Sequence, residues 1–318
     1  IKAVDRFGLK KFNDFSEQIL RYSEKRTRKI IRELSNGKYS DHDFMEWEPD
    51  VKLNVEITVR DDNIHFDFDE TGEQVKGNIN APRPVTLSAV YYVLRCLLPE
   101  DIPINEGCYR PVTVDIPRGT ILNPNPPAAV SAGNVETSQR VVELLLKTLR
   151  KLLPDIIPAE SQGTMNNLII GSDEFTYYET IGGGAGASSK SDGESGVHVH
   201  MTNTKNTPIE ALENDYPLLV RSYRLRRASG GSGIHRGGDG IVREIEALKD
   251  ATLSIQSERR KYPPKGANGG ENGKIGENIF ITDGNEVKLS SKVTREINEG
   301  DVIRVKTPGG GGWGRSKY

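Results

Sequence analysis

Cysteine is scarce. Only Cys96 and Cys108 occur in 318 residues, so no disulfide framework holds the chain, and a reducing compartment, the cytoplasm, is the expected setting. Charge of one sign is also missing. The 43 Lys and Arg are matched by 45 Asp and Glu, a net of −2, so no field exists to gather nucleic acid or hold an anionic membrane surface, and neither is an expected partner. Long apolar runs are absent too: the stretches around 97–98 and 144–146 are broken by Arg, Pro or Lys well short of the ~20 residues a spanning helix needs. The chain opens Ile1-Lys2-Ala3-Val4-Asp5 without Met or a signal-like segment, which raises the expectation that sequence is missing upstream. What is present, 35% apolar residues and 33 glycines, argues against disorder or a fibrous repeat. The length suits one large domain or two ordinary ones.

Leu9, Phe12, Phe15, Ile19, Ile30, Ile31 and Leu34 recur at three- and four-residue steps, which predicts one or two amphipathic helices stopped at Asn36-Gly37. From Val51 the period becomes two. Val51, Leu53, Val55, Ile57 and Val59, then Ile64, Phe66 and Phe68, flank Asp61-Asp62-Asn63, predicting a β-hairpin over 51–69 with one buried face. A helix over 86–98, a strand over 110–116 and a second long helix over 137–153, N-capped by Ser or Thr, follow. Beyond Pro158, short strands at 174–181, 197–201, 218–226, 241–248 and 253–257 are separated by glycine clusters. The predicted class is α+β: a helix-rich α+β region over 1–158, then a β-rich, glycine-punctuated region over 159–318.

Five polar segments are candidates for chemistry. The loop Ile181-Gly182-Gly183-Gly184-Ala185-Gly186-Ala187 reads as a phosphate cradle, a mobile loop approaching a substrate, or a plain β connection. The P-loop spacing fails, and the polar run 188–193 stands where a dinucleotide fold needs a helix. His198-Val199-His200, on a strand, would turn both imidazoles to one face; Asp192, Glu210 or His235 are conceivable third metal ligands, with hydrogen-bonding or partner-facing roles as the alternative. Asn203 and Thr204 offer amide and hydroxyl groups to a polar substrate, while Thr207-Pro208 and Glu210 read as a helix cap. Asn134, Thr137 and Ser138 open the second long helix as a candidate carboxylate site, with Arg140 a charge beside an apolar run. The cluster 162–167, containing Asn166, borders the apolar strand Leu168-Ile169-Ile170.

The wording of these segments carries a resemblance. Asn80-Ala81-Pro82, Tyr91-Tyr92, the run 122–130, Ala132-Gly133-Asn134-Val135-Glu136-Thr137-Ser138-Gln139-Arg140, Ser161-Gln162-Gly163-Thr164-Met165-Asn166-Asn167, the run 177–186, His198-Val199-His200-Met201-Thr202-Asn203-Thr204 and Thr307-Pro308-Gly309-Gly310-Gly311-Gly312 resemble the hydantoinase B/oxoprolinase family, in order over nearly the whole chain. The resemblance implies the B component of an ATP-dependent enzyme that opens cyclic amides, alternatively a subunit of an ATP-dependent ketone carboxylase of the acetone or acetophenone type, or a scaffold portion that only holds the A component. It further implies a hydantoinase A/oxoprolinase-type partner that handles ATP and Mg, and a small cyclic amide or ketone as substrate. The family's His-x-Pro-Asp and His-His-x-Asp metal motifs do not occur here. The resemblance therefore implies a C-terminal portion of a B component, one continuous family domain lacking its N-terminal part, with a divalent metal held in that partner portion. Within the matched motifs the catalytic candidates are His198, His200 and Glu136. The substrate-binding candidates are Asn134, Thr137, Ser138, Arg140, Asn166, Asn203, Gly183 and Gly184. No metal is expected in this portion, His198 and His200 being weak candidates.

Overall fold

The computed structural model describes residues 1–315. The expected amphipathic helix is α2 (Leu9–Arg32), preceded by the short α1 (Lys2–Phe7). The C-terminal half of α2 packs through Ser23, Thr27 and Ile31, while Phe12, Phe15 and Ile19 in its first half stay exposed.

The first sheet has the order β1-β2-β3-β4, from β1 (Gly37–Met45), β2 (Val51–Arg60), β3 (Asn63–Asp67) and β4 (Val112–Asp115). The hairpin β2–β3 is antiparallel with Val59 opposite Ile64, as the alternation requires, and β4 joins β3 in parallel. Helices α3 (Arg83–Leu97) and α4 (Ser138–Arg150) bury their apolar residues with this sheet in one core running from Ile31 to Ile157.

The second half is β-rich, as its glycine punctuation predicts. A five-stranded sheet has the order β11-β10-β13-β8-β7 and a four-stranded one the order β12-β9-β5-β6. Their strands are β5 (Asn167–Gly171), β6 (Thr176–Glu179), β7 (Leu218–Arg226), β8 (Gly240–Ala247), β9 (Ala251–Gln256), β10 (Glu277–Thr282), β11 (Asn285–Leu289), β12 (Lys292–Ile297) and β13 (Val302–Lys306). A second core, from Leu168 to Val305, lies between them. The short helix α5 (Ile209–Asp215) connects β6 to β7.

Two local expectations are corrected. The segment 197–201 forms no strand; only Val197 bridges, to Gly183, and His200 sits at φ 56. The second long helix has no side-chain cap, because a π-helical turn, Gly133–Thr137, leads straight into α4 and the Ser138 N–H donates to the Gly133 carbonyl. Thr137 donates instead to the Ile79 carbonyl and Ser138 to that of Asn134. Gly133 permits this entry: a Cβ there would lie 2.0 Å from the Asn80 carbonyl oxygen.

Candidate functional site

Three of the polar segments, with the end of β6, converge on one cleft of about 390 Å³. Asn134 and Val135 line it from the π-helical turn, Met165 from the cluster before β5, Tyr178, Glu179 and Thr180 from β6 and its exit, and residues 201–205 and Thr207 from the segment after His200. Two other concavities, of about 550 and 500 Å³, lie around Arg224–Arg227 and around Trp47 and Lys288–Lys292; the site is chosen by convergence rather than size.

The wall 201–207 is tied to the end of β6 and the segment that follows it by three hydrogen bonds. Thr204 and Thr180 share one between hydroxyls (2.7 Å), the Gly182 N–H donates to Asn206 Oδ1 (3.1 Å), and the Thr207 N–H donates to Glu179 Oε1 (2.8 Å). Glu179 is buried and faces the fully buried Arg243 at 2.8 Å, so it presents no free charge to the cleft. Burial raises its pKa above the ordinary value.

Behind the opposite wall a polar chain runs inward. The half-exposed Tyr178 donates its hydroxyl to Asn167 Oδ1 (2.7 Å), and Asn167 Nδ2 donates to Glu136 Oε1 (2.6 Å) and to the Gln256 carbonyl (3.0 Å). Glu136 is fully buried, also accepts the Met165 N–H at 3.1 Å, and leaves Oε2 without a partner. Desolvation, helped by the charge of Glu258, pushes its pKa up to about 7. Burial and the Glu136 charge raise the pKa of the Tyr178 phenol, which keeps it a proton donor.

The candidates thus divide. Asn134 and Asn203 line the cleft, both exposed, and Glu136 lies just behind its wall. Thr137 and Ser138 spend their hydroxyls on carbonyls, as above. Arg140 is completely buried against Asp43 at 2.5 Å, which answers the question of a charge beside an apolar run. Asn166 is buried too, donating to Gln162 Oε1 and the Ile181 carbonyl and accepting from Arg260.

The glycine loop proves to be a β connection rather than a cradle. The backbone N–H groups of residues 182–187 all have partners within the protein: Asn206, Val197, Pro308, Glu194, Ser161 and Gly311, in that order. None is left to hold a phosphate. Gly183 packs on Gln162, and a Cβ on Gly184 would lie 2.0 Å from the Gly238 carbonyl oxygen.

The two histidines diverge. His198 Nε2 meets Asn206 Oδ1 at 2.9 Å; that oxygen is an acceptor, so the ring donates from Nε2, and burial holds its pKa below the ordinary value. His200 Nε2 meets Glu143 Oε1 at 3.0 Å, with Tyr92 3.5 Å from Nδ1. Among the described residues no three His, Cys, Asp or Glu side chains converge to hold a metal ion. The pair does not fit a shared metal.

Sequence reasoning missed Tyr178 and Lys205. The signal for Tyr178 was the alternation of β6, which buries Tyr177 and turns Tyr178 outward. Lys205 was hidden among the amides and hydroxyls of 202–207.

Comparison with known proteins gives the following. The sequence profile of the family described as Hydantoinase B/oxoprolinase matches residues 1–316. A 5-oxoprolinase 1 of Arabidopsis thaliana is 42% identical over 328 residues, covering 98% of this chain and 25% of its own. A protein of Pseudomonas sp. (strain NS671), provisionally named as the B-type component of a D-/L-hydantoinase, is 32% identical over 99% of this chain and 56% of its own. The crystal structure of an ATP-dependent caprolactamase from Pseudomonas jessenii superposes with a TM-score of 0.88 at 27% identity, covering 99% of this chain and 58% of that one. The chain therefore spans between a quarter and just over half of the length of these proteins. Among the described residues no helix is long and apolar enough to cross a membrane.

Proposed function

This chain belongs to the hydantoinase B/oxoprolinase family, and from that premise we propose that it is part of the B-type component of an ATP-dependent cyclic-amide hydrolase, with the cleft between Asn134 and Lys205 as a wall of its substrate site. The observation that carries this reading is the convergence there of polar segments more than sixty residues apart in sequence. Support also comes from the names of the relatives, an oxoprolinase, a B-type hydantoinase component and a caprolactamase.

The chemistry follows from the inertness of an amide. Resonance makes its carbonyl a poor electrophile; ATP supplies a phosphoryl group that, placed on the carbonyl oxygen, makes the carbon electrophilic and that oxygen a leaving group. We assign that step, with its Mg, to an A-type partner in the cytoplasm. Water then adds to the activated carbon, the ring C–N bond breaks as the nitrogen takes up a proton, and a second water hydrolyses the acyl phosphate that remains, giving the carboxylate and free phosphate. In this chain the exposed amides of Asn134 and Asn203 hold the ring polar atoms, while Tyr178 orients the ring nitrogen. His198 and His200 support the 197–207 segment. On its own the chain is expected not to turn over, because the phosphoryl donor lies in the partner.

The test is a reconstituted assay of ADP release and ring opening, with the A-type component and the remaining B-type portion. The double substitution Asn134→Ala/Asn203→Ala should lower kcat/KM at least about tenfold while leaving the melting temperature and the complex unchanged. Unchanged turnover in an intact complex would reduce this chain to a scaffold.

A further inference from the structure

Helix α2 carries two rows of side chains that the fold treats differently. Ser16, Ser23, Thr27 and Ile31 turn to the body of the chain; Ser23 donates to the Pro103 carbonyl at 3.0 Å and accepts from Asn105 Nδ2 at 2.9 Å. At about 100° per residue, Phe12, Phe15, Ile19 and Tyr22 form a second row roughly a quarter turn away. Each is between 39% and 52% exposed. Phe7 of α1, also exposed, extends the row by setting its ring edge-on to Phe15 with centroids 6.5 Å apart. The second row is thus a seam of its own and not the frayed end of the core. Its five side chains leave roughly 400 Å² of apolar surface in water, as much as monomers usually tolerate in one patch.

The open side of this seam is basic. Lys11, Gln18 and Lys25 recur every seven residues beside it, and Lys29 continues the line of Phe15 and Tyr22. All three lysines are exposed. The ion pairs of α2 run instead through arginines: Arg21 holds Glu17, Arg26 holds Asp101, Arg28 holds Glu24, and Arg28 and Arg32 share Asp62. Arg110 adds a second partner to Glu17 and Glu24. Among the described residues no carboxylate is left paired with Lys11, Lys25 or Lys29, so a row of uncompensated positive charge borders the apolar seam.

That border decides between occupants. Two copies of this chain could not pair their α2 helices in parallel, because the lysine row of one would face the Ser16–Ser23 row of the other, which its own body already covers. Paired antiparallel about Gln18, they would set Lys11 of one copy opposite Lys25 of the other, like charge against like. An acidic flank meets neither obstacle. We propose that the seam docks an amphipathic helix from outside this sequence, one whose apolar face covers Phe12, Phe15, Ile19 and Tyr22 and whose row of Asp or Glu lies against Lys11, Lys25 and Lys29. The inference is independent of what the cleft binds.

The probes are the A-type component and the remaining B-type portion, each titrated separately into the chain by calorimetry at low and at high salt, with sedimentation of the chain alone beside them. One of the two should bind. Phe12→Ala/Ile19→Ala should weaken that binding at least about thirtyfold at either salt, while the melting temperature holds because Ala favours helix. Lys11→Glu/Lys25→Glu should weaken it about tenfold at low salt and much less at high salt. The photocrosslinker p-benzoylphenylalanine in place of Gln18 should attach to the bound component within an amphipathic, acid-flanked segment. Binding by neither component, binding that both double substitutions leave unchanged, or attachment to a segment without acidic residues overturns the proposal. So does a dimer of the chain alone that Phe12→Ala/Ile19→Ala dissociates, which would give the seam to a second copy.

Discussion

Burial of Glu136 makes stability depend on pH. Folding raises its pKa from 4.5 to about 7, so the folded chain keeps a proton that the unfolded chain has already lost. Stability attributable to this group is therefore highest below about pH 4.5, falls as pH climbs toward 7, and is constant above that. A rise of this size corresponds to roughly 3 kcal/mol. Glu136→Gln retains the oxygen that accepts from Asn167 and Met165 and removes the ionisation. Chemical denaturation at pH 5 and pH 8 should show the variant close to wild type at the lower value and about 1–3 kcal/mol more stable at the higher. Equal stabilities at pH 8 would mean that Lys292 and Arg260, whose charges oppose the rise, offset the desolvation fully. The sequence marked Glu136 through its motif but gave no sign of its burial. It failed at the histidines for a different reason: two residues share a face only on extended backbone, and the left-handed turn at His200 breaks that premise.

At the scale of elements, the segment 201–207 is a wall without helix or strand, held by hydrogen bonds and by Met201 packing on the first core. Asn206 carries one of these, accepting from the Gly182 N–H, and it also accepts from His198. Asn206→Ala leaves a buried amide N–H and an imidazole unsatisfied and should cost about 1–2 kcal/mol in thermal unfolding. Amide hydrogen exchange at Gly182 should accelerate with it, and KM should rise more than kcat falls, because the wall is displaced rather than the chemistry removed. A merely local role would leave exchange at Gly182 untouched. The hairpin over 51–69 was readable because its buried face is purely apolar. Strand β1 was not, for an instructive reason: Asp41 and Asp43 on it pair with Lys147, Lys151 and Arg140 of α4 and its C-terminal end, so the contact that holds it is ionic and leaves no apolar alternation to find. In β11, four of five residues are exposed, which hides that strand in the same way.

Across the whole molecule, two apolar cores meet through a junction of buried charge. Glu46, at the end of the first sheet, donates its N–H to Glu258 Oε2 and accepts the Lys261 N–H on Oε1. Lys292 closes the junction, donating to the Glu46 and Ser257 carbonyls and to Glu258 Oε1. Such pairs fix how the two halves sit more than they add net stability, because each charge had to leave water. Their removal one side at a time is a different matter. Lys292→Met strands Glu258, which is completely buried and whose pKa burial already holds above the ordinary carboxylate range, and should destabilise the chain by about 3–5 kcal/mol near neutral pH. Without Lys292 the Glu258 carboxyl titrates higher still, so the penalty should shrink as pH falls and the group is protonated. Adding Glu258→Gln to Lys292→Met should recover much of the loss by removing the stranded charge, though the Glu46 carbonyl still lacks its donor. A calorimetric series of the wild type, the single and the double variant decides the point. A cost for Lys292→Met that is independent of pH would mean the ammonium acts through its two carbonyl bonds and not through Glu258.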